Sequence, residues 1–438
     1  MDLSTTAGGG GRDAAPVGYL ELLGRNRDFR LLWLGQVVSQ LGDWFNTIAL
    51  YALVLEITGG SGRAIGLVLV TRFLPTVVLG PFAGVIADRF DRRAVMIVSD
   101  IARAFVVLGF LFIRRPEQLW MIYALSVLQL ALSTFFEPAR SAALPSVVND
   151  RELVTANTIS SVTWSAMLTL GAAIGGLIAG WFGVRVAFIL DSLSYLASAA
   201  LIFSLRLPRR APREKQKLTV SRALGVADTL EGFRYVRTRP RVLALMMVKP
   251  AWGVGGGILT LLTVFGERIF TFGGRAAGGI GVLFAARGIG TAIGPLVTRR
   301  LAGETRGQMQ KAIGVSFIVA GAFYAAFSAA TNFTLALVLL AVAHMGGSML
   351  WVASTTLLQT AVEDSFLGRV FAAEMTLLML MLAVSNYATG EALDRFGLSP
   401  RVVTFAIGIF FMLPGVAWLL TERWWDRERA GADVEGRL

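Results

Sequence analysis

The sequence predicts an all-α membrane protein in which twelve membrane-spanning helices form two pseudo-symmetric bundles of six. Apolar residues come in long blocks, most charged residues lie in the short segments between blocks, and the two halves repeat a spacing of small and charged residues. A bilayer core about 30 Å thick needs roughly 20 apolar residues per helix. Helices satisfy this environment because they pair their backbone polar groups internally.

Composition excludes several other classes of protein. Of the 438 residues, 55% are hydrophobic and 16% are charged, against about 25% charged in an average soluble domain. The formal net charge of +12 does not indicate a nucleic-acid partner, because the basic residues lie between apolar blocks. There is no cysteine, one histidine and no phosphate-binding lysine loop. We therefore expect no metal, no cofactor and no direct use of ATP.

The apolar blocks predict six spanning helices on each side of the longest polar segment. The first six cover residues 31–57, 63–87, 94–114, 117–138, 153–181 and 184–206. The second six cover residues 241–266, 277–300, 309–330, 333–360, 366–392 and 400–421.

Charge and composition divide the chain into five segments. They are a disordered cytoplasmic tail (1–18), an N-terminal bundle (19–206), a basic cytoplasmic linker (207–240), a C-terminal bundle (241–422) and a cytoplasmic tail (423–438). Within the linker, Leu224, Ala227, Leu230 and Phe233 share one face of a helix, which is typical of a helix lying on a membrane surface.

The distribution of Lys and Arg predicts the orientation in the membrane. With both termini on one side, the segments on that side hold 29 of the 41 basic residues and those on the other side hold eight. Cytoplasmic loops of membrane proteins carry this excess. We expect a multi-pass protein of the plasma (inner) membrane, with N- and C-termini in the cytoplasm, that works as a monomer.

Residue spacing indicates an internal duplication. Arg72 and Arg287 each lie six residues after the glycine of an Ile-Gly pair, at an offset of 215 residues. Gly175 matches Gly390 at the same offset. Duplicated six-helix halves are typical of transporters whose halves rock about a site at the bilayer midplane.

The turn between the second and third predicted helices reads Gly84-x-x-x-Asp88-Arg89-x-x-Arg92-Arg93. It resembles the helix 2–3 signature of the major facilitator superfamily, with aspartate where that signature has its second glycine. The resemblance implies a cytoplasmic gate in which Asp88 pairs with arginine and with a helix N-terminus. We expect the gate to hold the halves together in one state and release them in the other.

Other segments extend the resemblance over most of the chain. Residues 138–145, 156–157 and 368–371 are similar to the macrolide-efflux and enterobactin-exporter branch of the superfamily. Residues 171–176 partly match the antiporter signature of helix 5, and they fit a helix-packing face equally well. Glu137 and Arg140, at the end of the fourth helix, are predicted as further members of the gate.

Ionisable residues within the apolar blocks are candidates for proton coupling, because such groups are costly in hydrocarbon. Asp43, Arg72, Arg287, His344 and Glu374 are predicted deep in their helices. Asp43 and Glu374 are the candidate proton carriers, with either arginine tuning the carboxylate. The alternative for Asp43 is a permanent ion pair with Arg72, and for His344 a packing role.

Other charged residues in the helices receive simpler interpretations. Asp100 and Arg103 stand three residues apart in the third helix, where they can neutralise each other. Asp191 is predicted near the outer end of the sixth helix and needs no special partner there.

The expected substrate cavity has an apolar, aromatic wall with few polar groups, which suits a small amphipathic organic substrate. Its predicted lining is Gln36, Trp44, Asn46, Gln129, Trp164, Trp252, Trp351 and Met379.

Together these observations predict a proton-coupled exporter (antiporter) of amphipathic organic molecules, such as drugs, macrolides or siderophores, that works by alternating access. Two alternatives keep the fold: a transporter of lysophospholipids or other lipids, and a nutrient uniporter or symporter. A membrane enzyme or a receptor is disfavoured, because the sequence shows no clustered catalytic groups and no long soluble segment.

Overall fold

The computed structural model describes residues 17–206, 226–301 and 305–435. The first of these ranges contains α1 (Tyr19–Arg25), α2 (Arg27–Thr58), α3 (Gly62–Arg89), α4 (Arg92–Leu108), α5 (Leu119–Val147), α6 (Asp150–Ala166), α7 (Ala172–Phe182) and α8 (Val184–Phe203). The other two contain α9 (Val226–Arg237), α10 (Pro240–Val254), α11 (Ile258–Arg268), α12 (Ala276–Leu301), α13 (Arg306–Ser328), α14 (Phe333–Ala361), α15 (Asp364–Asp394) and α16 (Pro400–Glu435). We call α2–α8 the N-half and α10–α16 the C-half.

Eleven segments of the described chain are long and apolar enough to cross a membrane. The remaining predicted span is α2, whose 32 residues extend over about 48 Å. Polar residues such as Gln36, Gln40 and Asp43 interrupt its apolar sequence, which is why composition alone does not select it. Because α2 packs along α7 and α8 inside the N-half, it completes the predicted set of twelve spans.

Two spans are interrupted rather than continuous. A π-helical turn over Met167–Gly171 joins α6 to α7, and a 3-10 turn over Gly255–Gly257 joins α10 to α11. A π-turn inserts one residue into a helix and is often found at functional sites.

Two predicted helix ends differ clearly from the structure. The fourth span continues past residue 138 to Val147, through Pro138 and Pro145. A proline inside a membrane helix removes one hydrogen bond without ending the helix, because neighbouring helices satisfy the freed group. The last helix likewise continues past the predicted boundary at 422, as far as Glu435.

The chain turns on two faces of the molecule. The terminal face carries the first residues of α2, the last residues of α8 and the α5–α6 turn; there Asn26 Nδ2 donates to the carbonyl of Val147 at 2.7 Å. The opposite face carries the turns at residues 59–61, 113–118, 269–275 and 395–399.

The halves meet through two related pairs of helices, α3 with α15 and α7 with α12. A Cβ on Gly66 would lie 2.6 Å from the carbonyl oxygen of Asn386, and one on Gly281 would lie 2.7 Å from that of Ala172. These contacts correspond at an offset of 214 to 215 residues, so they express the pseudo-symmetry predicted from the spacing. Such close backbone approach excludes any side chain larger than hydrogen.

The glycines of α7 refine the predicted repeat. A Cβ on Gly176 would lie 2.7 Å from Gly281 Cα, and one on Gly390 would lie 2.7 Å from Arg63 Cα, so these two glycines occupy equivalent places between the halves. Gly175, the predicted match of Gly390, packs against the backbone of Trp44 in α2 instead. The segment 171–176 therefore serves as a packing face.

The predicted linker helix is present as α9, but it packs on protein. A Cβ on Gly232 would lie 2.5 Å from the carbonyl of Arg369, and Tyr235 stacks on Phe366 with ring centroids 4.4 Å apart. Val236 is fully buried. The face of α9 formed by Gly232, Tyr235 and Val236 therefore binds α15 at the terminal face. Of the four residues predicted to lie on the membrane surface, only Phe233 has a described side chain, and it is half-buried; the position predicted for Leu224, Ala227 and Leu230 stays a prediction.

Candidate functional site

A cavity of about 760 Å³ lies inside the N-half. Its lining comes from α2, α3, α5, α6 and the π-turn: Gln36, Gln40, Asp43, Trp44, Thr47, Arg72, Leu130, Ser133, Glu137, Arg140, Asn157, Ser160, Ser161, Trp164, Ser165 and Met167. On the side of the terminal face, its lining begins at Arg140 and Asn157, each about 10 Å inside the α5–α6 turn. It reaches Thr47, about 16 Å further along α2 than Gln36.

Helical periodicity explains how these residues share one cavity. In α2, Gln36, Gln40, Asp43 and Thr47 follow one another at spacings of four, three and four, which places them on one face. Residues 130, 133, 137 and 140 do the same in α5. These polar stripes in otherwise apolar helices are the sequence signal for the cavity, and average hydropathy conceals them.

The cavity wall differs from the expected one. Gln36, Trp44 and Trp164 are among its lining residues, but twelve of the sixteen lining residues are polar or charged. The expectation of an apolar wall with few polar groups is therefore wrong. Asn46 and Gln129 are buried behind the wall and do not line it.

The three remaining predicted lining residues belong to the C-half and lie outside this lining. Trp252 packs in an aromatic cluster, with its ring 4.6 Å from that of Phe411. Trp351 lies beside Lys249, whose Nζ is 4.8 Å from its ring. Met379 is half-buried in α15.

Asp43 connects the cavity to a buried network of hydrogen-bonded polar groups. Its Oδ1 accepts a hydrogen bond from the Tyr195 hydroxyl, which in turn accepts one from Gln129 Nε2 at 3.1 Å. Asn46 Nδ2 donates to Gln129 Oε1 at 3.4 Å and to Asp191 Oδ2 at 2.8 Å. A continuous chain of hydrogen bonds therefore joins the cavity to a carboxyl group in the middle of the half.

Asp191 corrects one sequence prediction. Its side chain is fully buried and held by Asn46, so it is not a group near a membrane face without a partner. It lies about 10 Å from the start of α8, a depth at which a carboxyl group needs a partner.

The predicted neutralising pair in the third span is present. Asp100 and Arg103 form an ion pair whose side chains are 0% and 2% exposed. The guanidinium of Arg103 also stacks over Phe136 at 4.6 Å and Tyr195 at 4.3 Å. This pair therefore stabilises the same region that holds the Asp43 network.

Arg72 faces the cavity without forming the alternative ion pair with Asp43. No ion pair within 4.0 Å joins it to Asp43, and within the described ranges its guanidinium has no hydrogen bond to another residue. Arg140 differs, because it donates to Glu137 Oε2 at 3.1 Å and to Gln36 Oε1 at 3.0 Å. The permanent Asp43–Arg72 pair is therefore absent.

Arg287, the counterpart of Arg72, is held inside the C-half. Its Nε donates to His344 Nε2 at 3.2 Å, while His344 Nδ1 lies 3.3 Å from the carbonyl oxygen of Leu340. The Tyr324 hydroxyl is 3.2 Å from His344 Nδ1. Because Nε2 must accept from the guanidinium, this geometry requires a neutral imidazole. His344 therefore fits the packing interpretation.

Glu374 has a partner that the sequence analysis missed. Lys249 Nζ lies 2.7 Å from Glu374 Oε2, and both side chains are almost fully buried. Phe371 covers the ammonium group, 5.2 Å from its ring centroid. A lysine in the middle of an apolar block was the available signal, because a buried carboxylate needs a cation nearby.

The predicted gate is described only in part. The side chains of Gly84, Asp88 and Arg89 lie outside the described residues. Arg92 donates to the carbonyl of Ala142, and Arg93 donates to that of Phe203. Both contacts stay within the N-half, and the predicted gate between the halves stays a prediction.

A second contact between the halves lies at the opposite face, around Asp394 at the end of α15. Its carboxylate accepts from Ser61 Oγ at 2.6 Å and from the backbone N–H groups of Gly62 and Arg63 at 3.1 and 2.9 Å. Arg63 also pairs with Glu391 at 2.9 Å. A C-half carboxylate thus caps the N-terminus of α3, an arrangement that favours negative charge.

Comparison with known proteins agrees with this architecture. Residues 32–385 match the family profile of the Major Facilitator Superfamily. The chain is 29% identical to the Bacillus subtilis protein YfiS, an MFS-type transporter, over 48% of this chain and half the length of that relative. It is 27% identical to Rv0037c, an MFS-type transporter of Mycobacterium tuberculosis, over 90% of this chain and 92% of the relative. It is 24% identical to macrolide efflux protein A of Streptococcus pyogenes, over 85% and 90%.

Solved structures share the fold at low sequence identity. The nucleoside transporter NupG superposes with a TM-score of 0.68 and 14% identity, covering 90% of this chain and 98% of that one. A bacterial homologue of the lysosomal transporter Spinster superposes with a TM-score of 0.67 and 16% identity, covering 91% and 97%.

Twelve spans in two related halves, a polar cavity inside the N-half and a family match over most of the chain lead to one assignment. This chain is a multi-pass membrane protein, and it belongs to the Major Facilitator Superfamily.

Proposed function

We propose that this protein is a proton-coupled exporter that moves amphipathic organic molecules out of the cytoplasm by alternating access. The cavity of the N-half carries the proposal: its lining lies in the parts of α5 and α6 nearer the terminal face and includes a carboxylate, Asp43. Contacts between the halves lie on the other side of the molecule. A site that is open on one side and closed on the other is what alternating access requires.

The composition of the cavity wall supports a cargo with polar and apolar parts. Trp44, Leu130, Trp164 and Met167 offer apolar surface, and hydroxyl, amide and charged groups surround them. The name of one relative, macrolide efflux protein A, also supports export of an organic molecule.

Asp43 is the proton carrier in this proposal. It faces the cavity, where protons and cargo both arrive, and the Tyr195 hydroxyl holds its Oδ1. Glu374, the second candidate, is buried against Lys249 and has no comparable access. A carboxylate that exchanges a proton for cargo couples the two movements, because each occupant excludes the other.

The excess of Lys and Arg on the side of the termini supports a cytoplasmic terminal face. The proposal places the protein in the plasma membrane as a monomer, with the cavity open to the cytoplasm. No cofactor takes part, and the proton gradient supplies the energy.

Everted membrane vesicles test this function directly. Respiration acidifies the vesicle interior, and macrolides, siderophores and dipeptides are added outside as cargo. We expect accumulation of a cargo that collapses with a protonophore, and Asp43→Asn should bind cargo but lose the dependence on the pH gradient. Unchanged coupling in both Asp43→Asn and the double variant Lys249→Met/Glu374→Leu would rule out the proposed carriers.

A further inference from the structure

We propose that the cargo is zwitterionic, with its acidic group bound by Arg72 and its ammonium group by Asp43. This inference rests on the proposed function, because it names the class of molecule that occupies the same cavity. It follows from two opposite charges that line one cavity without pairing with each other.

Arg72 is available for a ligand. Its guanidinium is half-buried in the wall, and within the described ranges no carboxylate, carbonyl or hydroxyl is bonded to it. A guanidinium in a cavity inside the membrane is costly unless an anion or water satisfies it. Its planar donors suit a carboxylate or phosphate, which they bind through two parallel hydrogen bonds.

The two arginines that line the cavity differ in this respect. Arg140 is occupied by Glu137 and Gln36, both at hydrogen-bonding distance. Arg287, the counterpart of Arg72 in the other half, is occupied by His344. Arg72 alone among these three has its donors directed to no other described residue.

Asp43 is also available for a cation, although the charges of Arg103, Arg72, Glu137 and Asp191 act on it. Tyr195 binds its Oδ1, and no ion pair within 4.0 Å occupies the carboxylate. Gln40, one helical turn away on the same face of α2, has an amide oxygen without a donor among the described residues. These acceptors can receive the N–H groups of an ammonium.

In this arrangement, binding of a proton weakens binding of the cargo, as proton antiport requires. Protonation removes the charge of Asp43 and with it the contact to the ammonium group of the cargo, while Arg72 keeps its charge. Proton and cargo therefore compete for one carboxylate. A purely anionic cargo would instead bind better when Asp43 is protonated, which would favour symport.

Matched ligands on purified full-length protein test the inference. The probes are dipeptides and ω-amino acids, each in four forms: free zwitterion, N-acetylated acid, primary amide with a free amine, and N-acetylated amide. Binding is measured by calorimetry. We expect at least one zwitterion to bind about tenfold more tightly than its acetylated acid and its amide. Each of these derivatives loses one hydrogen bond to a charged group, and such a bond contributes roughly one factor of ten to affinity.

Variants assign each charge to its partner. Arg72→Gln should erase the advantage of the acid over the amide, and Arg72→Lys should restore part of it. Asp43→Asn should erase the advantage of the free amine over the acetylated form. Arg185→Gln, at an exposed position on α8, removes the same charge elsewhere and should change neither preference.

Two results would overturn the inference: equal binding, or none, of the four forms to the wild type, and an acid preference that persists in Arg72→Gln. An exporter of another class of cargo would still pass the vesicle test while failing this one. Failure of the inference is therefore distinguishable from failure of the proposed function.

Discussion

The two halves share one plan but place their charged groups differently. In the N-half, Arg72 and Asp43 face a cavity and are not paired with each other. In the C-half, Arg287 binds His344 and Lys249 binds Glu374, both inside the helix bundle. A duplicated fold can thus keep an arginine at the same position while one copy faces a cavity and the other is bonded inside the helix bundle.

The cost of losing a partner should therefore differ between the halves. Two kinds of substitution measure this difference in stability. One removes a charged side chain discussed above, and the other removes a contact between the halves.

The largest effect is expected at the Lys249–Glu374 pair. Lys249→Met leaves a carboxylate buried without its cation, which typically costs about 3–5 kcal/mol. The double variant Lys249→Met/Glu374→Leu should recover most of that loss, because apolar side chains can replace a buried pair. Denaturation in detergent measures both.

Arg25→Met provides the matched control, since it breaks an ion pair whose arginine is 81% exposed and should cost less than about 1 kcal/mol. A loss of that small size in Lys249→Met would show that the C-half pair does not stabilise the fold.

The two equivalent arginines should respond unequally to the same substitution. Arg287→Met removes the guanidinium donor of His344 Nε2 and leaves only the Tyr324 hydroxyl, 3.3 Å away, which should cost about 1 kcal/mol for the lost hydrogen bond. Arg72→Met removes no bond to a described residue, so its change in unfolding free energy should be smaller. Equal losses in the two variants would contradict the division of roles between the halves.

The smallest effect is expected at the opposite face. Asp394→Ala removes the carboxylate that caps α3 across the halves, a loss of about 1 kcal/mol. That loss should shift the population toward opening at this face about fivefold. Asn332→Ala removes a comparable cap, the bond to Leu335 N at 2.9 Å, within the C-half. It should lower stability similarly without changing access to the cavity.

Sequence analysis could predict the helices, the duplication and the depth of most buried charges. Arg72, Arg287, Asp43 and Glu374 are all within the membrane-spanning part of the fold, as the apolar blocks require. Depth follows from counting residues along a helix, which the sequence provides directly.

Partners were harder to predict, because they depend on how each helix is rotated against its neighbours. Tyr195 lies 152 residues from Asp43, and Lys249 lies 125 residues from Glu374. No local pattern links such positions. The polar stripe of α2, from Gln36 to Thr47, is visible in the sequence. The prediction of an apolar cavity wall considered the overall apolar content of the helices and did not take this stripe into account.

Access to the cavity from both faces is the central claim, and labelling of a single cysteine tests it most directly. The natural chain has no cysteine, so Ser133→Cys places one thiol in the cavity wall without background. A membrane-impermeant maleimide is applied from either side in right-side-out and everted vesicles. We predict labelling from both faces, with a faster rate from the terminal face. The labelling rate from the opposite face should rise about fivefold in Asp394→Ala, and it should not change in Asn332→Ala. Labelling from the terminal face alone, in every variant, would contradict alternating access through this cavity.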